Sequence, residues 1–181
     1  MNPIALLALA AGAYWLMKRK PMNYRLLFAE RLRDAATRTA EKYGWPLPTG
    51  RDFIITQAAH ESNWGRSELT VNANNLFGFK TASAWEIAKK PFVTMPTREF
   101  IGGKWVDVRA NFRRYATWEE SVLDLARLLT TYPRYSAVVD ALKRGDSKAA
   151  FQGLQTGGYA TDNQYAVKLA KVLGDVQTVI V

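Results

Sequence analysis

The chain has 181 residues, 48% hydrophobic and 23% charged, the make-up of one globular domain with chain enough to bury a core. It has no cysteine and a single histidine, which excludes disulfides, thiolate metal sites, cysteine nucleophiles and a histidine-rich metal centre. A net charge of +9 favours a polyanion or an anionic surface, and nucleic acid, anionic lipid and bacterial cell wall all qualify.

Residues 3–17 form an uncharged run rich in Ala and Leu, closed by Lys18-Arg19-Lys20, with Tyr14 and Trp15 near its end as interfacial anchors would sit. The sequence therefore predicts a hydrophobic membrane-anchor segment over residues 1–20, with a lipid membrane as partner through residues 3–17, and a folded domain over residues 21–181. The run is short for a hydrocarbon core of about 30 Å, and a signal-like segment or a buried helix are the alternatives. Residues 23–43 read as an amphipathic helix, with Leu26, Leu27, Ala29, Ala35, Ala36 and Ala40 set among Arg25, Arg31, Arg33, Arg38 and Lys42. Gly44-Trp45-Pro46-Leu47-Pro48 breaks it.

A helix is predicted over residues 50–60, with Thr49 as N-cap and Asp52 at its positive end. Ile54, Ala58 and Glu61 are spaced i, i+4, i+7, so the acid falls on the stripe that faces the core. A carboxylate there is desolvated and meets the negative end of the helix dipole. Both effects favour the protonated form, which is how a general acid is made near neutral pH. The alternative is a last-turn glutamate that reaches solvent; Asn63-Trp64-Gly65 instead suggests a turn packed close to the acid.

After Asn74-Asn75-Leu76-Phe77-Gly78-Phe79-Lys80, Trp85 and Glu86 lie in a segment of undefined structure, and Pro91 and Pro96 oppose a helix between them. Residues 97–101 and 104–109 read as a hairpin around Gly102-Gly103. Glu99 shares one face with Ile101 and Arg98 the other with Phe100, so either face can be the wet one. From Thr117 a capping box (Thr117-x-x-Glu120) opens a helix that runs to Pro133. Further helices are expected at about 136–144, 147–154 and 163–173, the last carrying Tyr165, Ala166, Leu169 and Val172 inward. The tail from Val176 to Val181 reads as a terminal strand or as a cover on the core. The fold class is α+β: a mainly helical domain with a small hairpin lobe, which leaves a groove between the two.

Four blocks then stand out together: Ala59-His60-Glu61-Ser62-x-Trp64-Gly65; Asn74 to Lys80; Phe112-Arg113-Arg114-Tyr115 with Ser121; and Gly158-Tyr159-Ala160-Thr161-Asp162-x-x-Tyr165-Ala166. In this order they resemble the bacterial and phage N-acetylglucosaminidase family, which includes the flagellar rod-associated peptidoglycan hydrolase and several autolysins. The resemblance covers about residues 52–173. It implies a lysozyme-like fold and hydrolysis of β-1,4 glycosidic bonds in peptidoglycan as an endo-β-N-acetylglucosaminidase. Rivals are a muramidase or lytic transglycosylase on the same substrate and, from another class, a non-catalytic wall- or nucleic-acid-binding module. Carried over residue by residue, it implies Glu61 as general acid, Glu99 as the second glutamate on a mobile β-lobe, and Tyr159 as a tyrosine near the cleft. Trp64, Asn75, Phe77, Trp85 and Tyr115 fall where substrate contacts are expected. Asn163 departs from the family, which commonly has proline there.

Glu99 has three open roles: activating water, stabilising a cationic transition state, or assisting attack by the sugar's own N-acetyl oxygen. Trp64, Phe77 and Trp85 can equally be core aromatics, Tyr159 can equally pin the Gly157-Gly158 turn, and His60 reads as a hydrogen-bonder beside the acid. The resemblance calls for no metal or other cofactor. Expected partners are glycan strands and the membrane, in the setting of a virion or an envelope complex, and not nucleic acid, for which no basic-aromatic repeat or helix-turn-helix pattern speaks. One conflict follows. Lys18 to Lys20 would hold the domain on the cytoplasmic side, away from an external wall, unless the membrane is a virion's.

Overall fold

A computed structural model describes residues 23–180. Helix α1 (Tyr24–Lys42) opens at Asn23, whose side chain accepts from the backbone N–H groups of Arg25 and Leu26. It buries Phe28, Leu32, Ala35, Ala36, Thr39 and Ala40, a stripe at helical spacing. Leu27, counted with the apolar face from sequence, lies off that stripe and is 45% exposed. Helix α2 (Thr49–Ser62) starts one residue earlier than expected. Thr49 is thus its first residue and not its cap, and its hydroxyl donates to the Gly145 carbonyl. Pro48 occupies the cap position without a side-chain bond. Gly50 has no side chain because there is no room: a Cβ would lie 2.6 Å from Trp45 Cβ and 2.8 Å from Ala40 Cβ, where the chain leaving α1 crosses the start of α2.

Two short helices follow, α3 (Glu68–Ala73), capped by Ser67, and α4 (Ser83–Ile87). Strands β1 (Phe92–Ile101) and β2 (Lys104–Arg113) pair antiparallel from Phe92↔Arg113 to Ile101↔Lys104. The hairpin is thus longer at its foot than the sequence suggested, and Pro96 sits inside β1. In a two-stranded ladder every strand is an edge, so a residue without an N–H can face outward at no loss. The segment before α4 braces that foot: Thr81 N–H donates to Asn111 O (2.8 Å) and Arg113 N–H to Phe79 O (2.9 Å). Glu99 shares its sheet face with Val93, Met95, Val108, Ala110 and Phe112, which are buried or half-buried toward the foot, and with Val106, its direct partner, and Lys104, which are exposed toward the tip. Thr94, Arg98, Asp107 and Arg109 cover the other face and are exposed, so the glutamate stands at the outer end of the drier side.

Helix α5 (Trp118–Thr131) has the expected capping interactions: Thr117 Oγ1 accepts from Glu120 N–H, and Glu120 Oε2 accepts from Ala116 N–H. A 3₁₀ turn (Pro133–Tyr135) leads into α6 (Ser136–Lys143), α7 (Ser147–Thr156) and α8 (Tyr165–Val179). Of the two readings of the tail, the cover holds and the strand does not: residues 176–179 are the last turn of α8, and Val176 with the capping residue Ile180 closes over the core. Arg33 of α1 donates to the Ile180 carbonyl and satisfies the open end of that helix. Helices α1, α7 and α8 pack around α2, with α5 on α1 and α6 on α7. Every residue of α2 from Asp52 to Ala59 is buried. A helix enclosed on all sides is the axis of the fold, and it ends at Glu61-Ser62.

The expectation of a transmembrane segment, a lipid-membrane partner and membrane association is corrected here. Among the described residues no helix is long and apolar enough to cross a membrane, and α1, 19 residues long, carries charge along its outer face. Residues 3–17, on which that expectation rested, lie outside the described residues and are themselves fewer than the roughly 20 that a spanning helix needs.

Candidate active site

Helix α2 stops in a left-handed turn. Asn63, Trp64 and Gly65 have φ of 52°, 57° and 77°, and only the last is a residue at ease there. The turn is held by Ser62, whose hydroxyl donates to Ala58 O and accepts from Gly65 N–H (2.7 Å), and by Trp64 N–H donating to Ala59 O (2.9 Å). Gly65 is also crowded: a Cβ would meet Phe28 at 2.8 Å and Trp118 at 2.9 Å. The turn carries Trp64 back against Phe28 (ring centroids 5.8 Å, edge-on) with Arg25 over its face (5.0 Å). Glu61 is left at the rim of the core, half-buried.

Its carboxyl group meets the Tyr165 hydroxyl at the start of α8, and that hydroxyl also lies 2.9 Å from Gln57 Oε1, one turn back on α2. One hydroxyl hydrogen cannot serve two acceptor oxygens. Two arrangements close the count: a proton on Glu61 donated to Tyr165, which donates onward to Gln57, or a turned Gln57 amide whose nitrogen donates to Tyr165 while Tyr165 donates to Glu61. Either leaves one atom of the Gln57 amide buried without a partner. Burial raises the Glu61 pKa above the ordinary glutamate value, and the Tyr165 bond offsets this in part. The same burial and the facing carboxylate push the Tyr165 hydroxyl far above the usual tyrosine range.

Tyr159 stacks on Tyr165 (5.9 Å, 22°) and leans on Tyr135 (6.1 Å). Its hydroxyl is buried with no hydrogen-bond partner, and burial followed by the nearby Glu61 charge raises its pKa well above normal. His60 sets its ring edge-on to Tyr165 (5.5 Å); burial and then Lys168 lower its pKa. Lys168 in turn holds the Asp162 carboxyl below the usual range. On the hairpin, Glu99 is paired with Lys80 at 2.7 Å, and both side chains are about 40% exposed (38% and 45%).

The other residues read from sequence sort into two groups. Trp64, Asn75 and Phe77 are 8% exposed or less and turned into the core. Asn75 is a clamp: its Nδ2 donates to Phe79 O and Arg113 O (2.9 Å each) and its Oδ1 accepts from Phe79 N–H (3.0 Å). Trp85 and Tyr115 meet edge-on (5.6 Å) and line a cavity of about 450 Å³ at the foot of the hairpin, with Lys90, Arg114, Asp124 and Arg127. The Tyr115 hydroxyl donates to Asp124 Oδ2 (2.7 Å), and burial followed by that carboxylate raises its pKa far above normal. Glu61 is not among the residues of this cavity. Gln57 and Tyr165 are the contacts that sequence reading did not assign to the acid. The signal for Tyr165 was present in the Tyr-Ala pair that ends the last block, whereas nothing in the local sequence marks Gln57. Among the described residues, no group of three or more His, Asp or Glu is placed to hold a metal ion.

Comparison with known proteins gives this geometry a family. The profile of the glucosaminidase family, described as mannosyl-glycoprotein endo-β-N-acetylglucosaminidase, matches residues 33–178. The chain is 40% identical over 152 residues to the exo-glucosaminidase LytG of Bacillus subtilis, covering 81% of this chain and 50% of that protein. It is 36% identical over 131 residues to the peptidoglycan hydrolase FlgJ of Escherichia coli K12, covering 70% and 40%. The chain thus spans half or less of the length of these curated relatives. Its fold superposes on the catalytic domain of the autolysin Auto from Listeria monocytogenes with a TM-score of 0.73, at 31% identity and 96% coverage of both chains. With the profile matched over most of its length and the fold shared with a lysozyme-like hydrolase domain, the chain belongs to the glucosaminidase family of peptidoglycan hydrolases.

Proposed function

We propose that this chain is a glycoside hydrolase that cuts β-1,4 bonds of the peptidoglycan glycan, as an endo-β-N-acetylglucosaminidase. The observation that carries the reading is the Glu61 carboxyl at the rim of the core, where burial favours its proton and the Tyr165 hydroxyl holds it in place. Glu61 donates that proton to the glycosidic oxygen as the C–O bond breaks, and the resulting carboxylate keeps the Tyr165 hydroxyl as its donor. Glu99 acts from the hairpin on the opposite side of the bond, on a water or on the sugar's N-acetyl group, with Lys80 setting its position. Tyr159, its hydroxyl buried beside the acid, helps to exclude water from Glu61. Trp64, Asn75 and Phe77 serve the reaction by shaping the body behind the cleft, since their side chains face the core.

Mass spectrometry of fragments released from purified wall tests the bond. Fragments with N-acetylglucosamine at the reducing end are expected, whereas a muramic-acid end or an anhydro product makes the enzyme a muramidase or a lytic transglycosylase. Glu61→Gln keeps the shape of the side chain and removes its proton, so a rate loss of about 10²- to 10⁴-fold is expected with folding intact by circular dichroism. A folded variant that keeps more than about a tenth of the wild-type rate removes Glu61 as the acid.

A further inference from the structure

The cavity at the foot of the hairpin is left over once Glu61, Glu99 and Tyr159 are given their roles. Helix α4 buries none of its own residues and is held by Trp85, whose Nε1–H donates to Pro91 O (3.0 Å), and by Glu86, which accepts from the Thr81 hydroxyl (2.8 Å). Open space flanks Trp85: the cavity of about 450 Å³ and a second of about 240 Å³ share Trp85, Lys90, Asp124 and Arg127. The larger is of ordinary ligand-site size. Its lining carries both charges. Lys90 and Arg114 are exposed and form no salt bridge among the described residues, and Arg127 reaches Asp124 only at 3.6 Å with its side chain 63% exposed. Glu120 and Asp124 stand on α5 beside Arg127, the former accepting from Ala116 N–H and the latter already bound by Arg113 and Tyr115. Lys90 and Arg113 also lie over the Trp85 ring, at 4.8 and 5.0 Å.

We propose that this cavity is a peptide-recognition site that takes the short peptide carried by wall glycan, a proposal that rests on the glycan-cleaving reading above. Two guanidinium forks match a carboxylate in plane and in hydrogen-bond number. A uniform polyanion, whether a nucleic acid or a phosphate polymer, would press its repeated charge against Glu120 and Asp124. A peptide bearing both a carboxylate and an amino group instead meets both signs within one cavity, its carboxylate at Arg114 and Arg127 and its amino group at the Glu120 carboxylate, with its aliphatic portion beside Trp85. The site also joins Lys90 and Pro91, at the start of the hairpin, to α5, so an occupant touches the lobe and the helical body together.

The test uses the full chain, wild type and the double variant Arg114→Gln/Arg127→Gln, with Arg144→Gln/Lys148→Gln as a control of equal charge loss outside the cavity. Hydrolysis is measured on intact wall and on wall glycan stripped of peptide by an amidase. For the cavity variant, KM on intact wall should rise about tenfold, the value of one lost charge-assisted contact, with no change on stripped glycan. An equal rise in the control pair, or an equal rise on stripped glycan, overturns the proposal. Binding is read separately from the indole N–H resonance of Trp85, assigned with Trp85→Phe, during titration with the free wall tetrapeptide released by the same amidase. A saturating shift that the double variant loses is expected; no shift, or the same shift in the variant, overturns the site. If wild type cuts neither glycan yet Trp85 titrates with the peptide, the hydrolase reading falls and the peptide site stands.

Discussion

Glu61 is an acid placed where ionisation is costly, and this has a consequence for stability that is separate from catalysis. Its folded-state pKa is raised, so the native protein takes up the proton more readily than the unfolded chain. Below the ordinary glutamate range both states are protonated and the site costs nothing; as pH rises through the folded value, holding a buried carboxylate progressively destabilises the fold. Glu61→Gln should therefore melt higher than wild type at about pH 7 and equally at about pH 4, near and below the unfolded value. A melting difference independent of pH would mean that the carboxyl group is not desolvated. Tyr165→Phe makes the complementary prediction. The tyrosine bond lowers the Glu61 pKa, so its loss should move the alkaline limb of the pH–rate profile upward, because the acid stays protonated to higher pH. The Gln57 oxygen also loses its donor, at about 1–3 kcal/mol of stability. An unmoved alkaline limb would assign that limb to another group.

At the scale of elements, the hairpin and the helical body meet through few side chains, and the Lys80–Glu99 pair is one of them. An exposed ion pair contributes about 0–1 kcal/mol, so Lys80→Met should lower the melting temperature by less than about 4 °C. If Lys80 positions Glu99, hydrolysis should fall far more than stability does. Parallel loss of both would make the pair structural only. This is also the scale at which sequence reading was uneven. The capping box at Thr117 and the hairpin turn at Gly102-Gly103 were legible because each is a local pattern with a local cause. The foot of the hairpin was not, because its pairing to residues 79–81 is tertiary and Pro96 argues against a strand until the ladder is known to have two open edges. The end of α8 was missed for a similar reason: Val176 is buried in the core and the capping residue Ile180 is held by Arg33, and nothing in the tail itself separates helix from strand.

At the scale of the whole molecule, a net charge of +9 attracts polyanions, and attraction of that kind is screened by salt. Hydrolysis of intact wall should fall between about 0.05 and 0.5 M salt, while cleavage of a short uncharged oligosaccharide of the same linkage should hold steady. Equal salt sensitivity on both substrates would place the effect in the fold or the acid and not in encounter. The site was legible in part. The stripe of Ile54, Ala58 and Glu61 pointed to an acid that the fold does place at the rim of the core, yet α2 is buried on every side, so the stripe itself discriminates little. What fixes the acid, a hydroxyl 104 residues away, lies beyond any window of periodicity.

That separation sets an order in time. During synthesis Glu61 leaves the ribosome long before Tyr165, and the helix that brings the hydroxyl is the last of the described elements to be made. Until α8 docks, the nascent domain holds a carboxyl group at the end of an uncovered helix, open to water and free to ionise as an ordinary surface glutamate does. The raised pKa of Glu61 is therefore a property of the finished fold, completed only with its final helix.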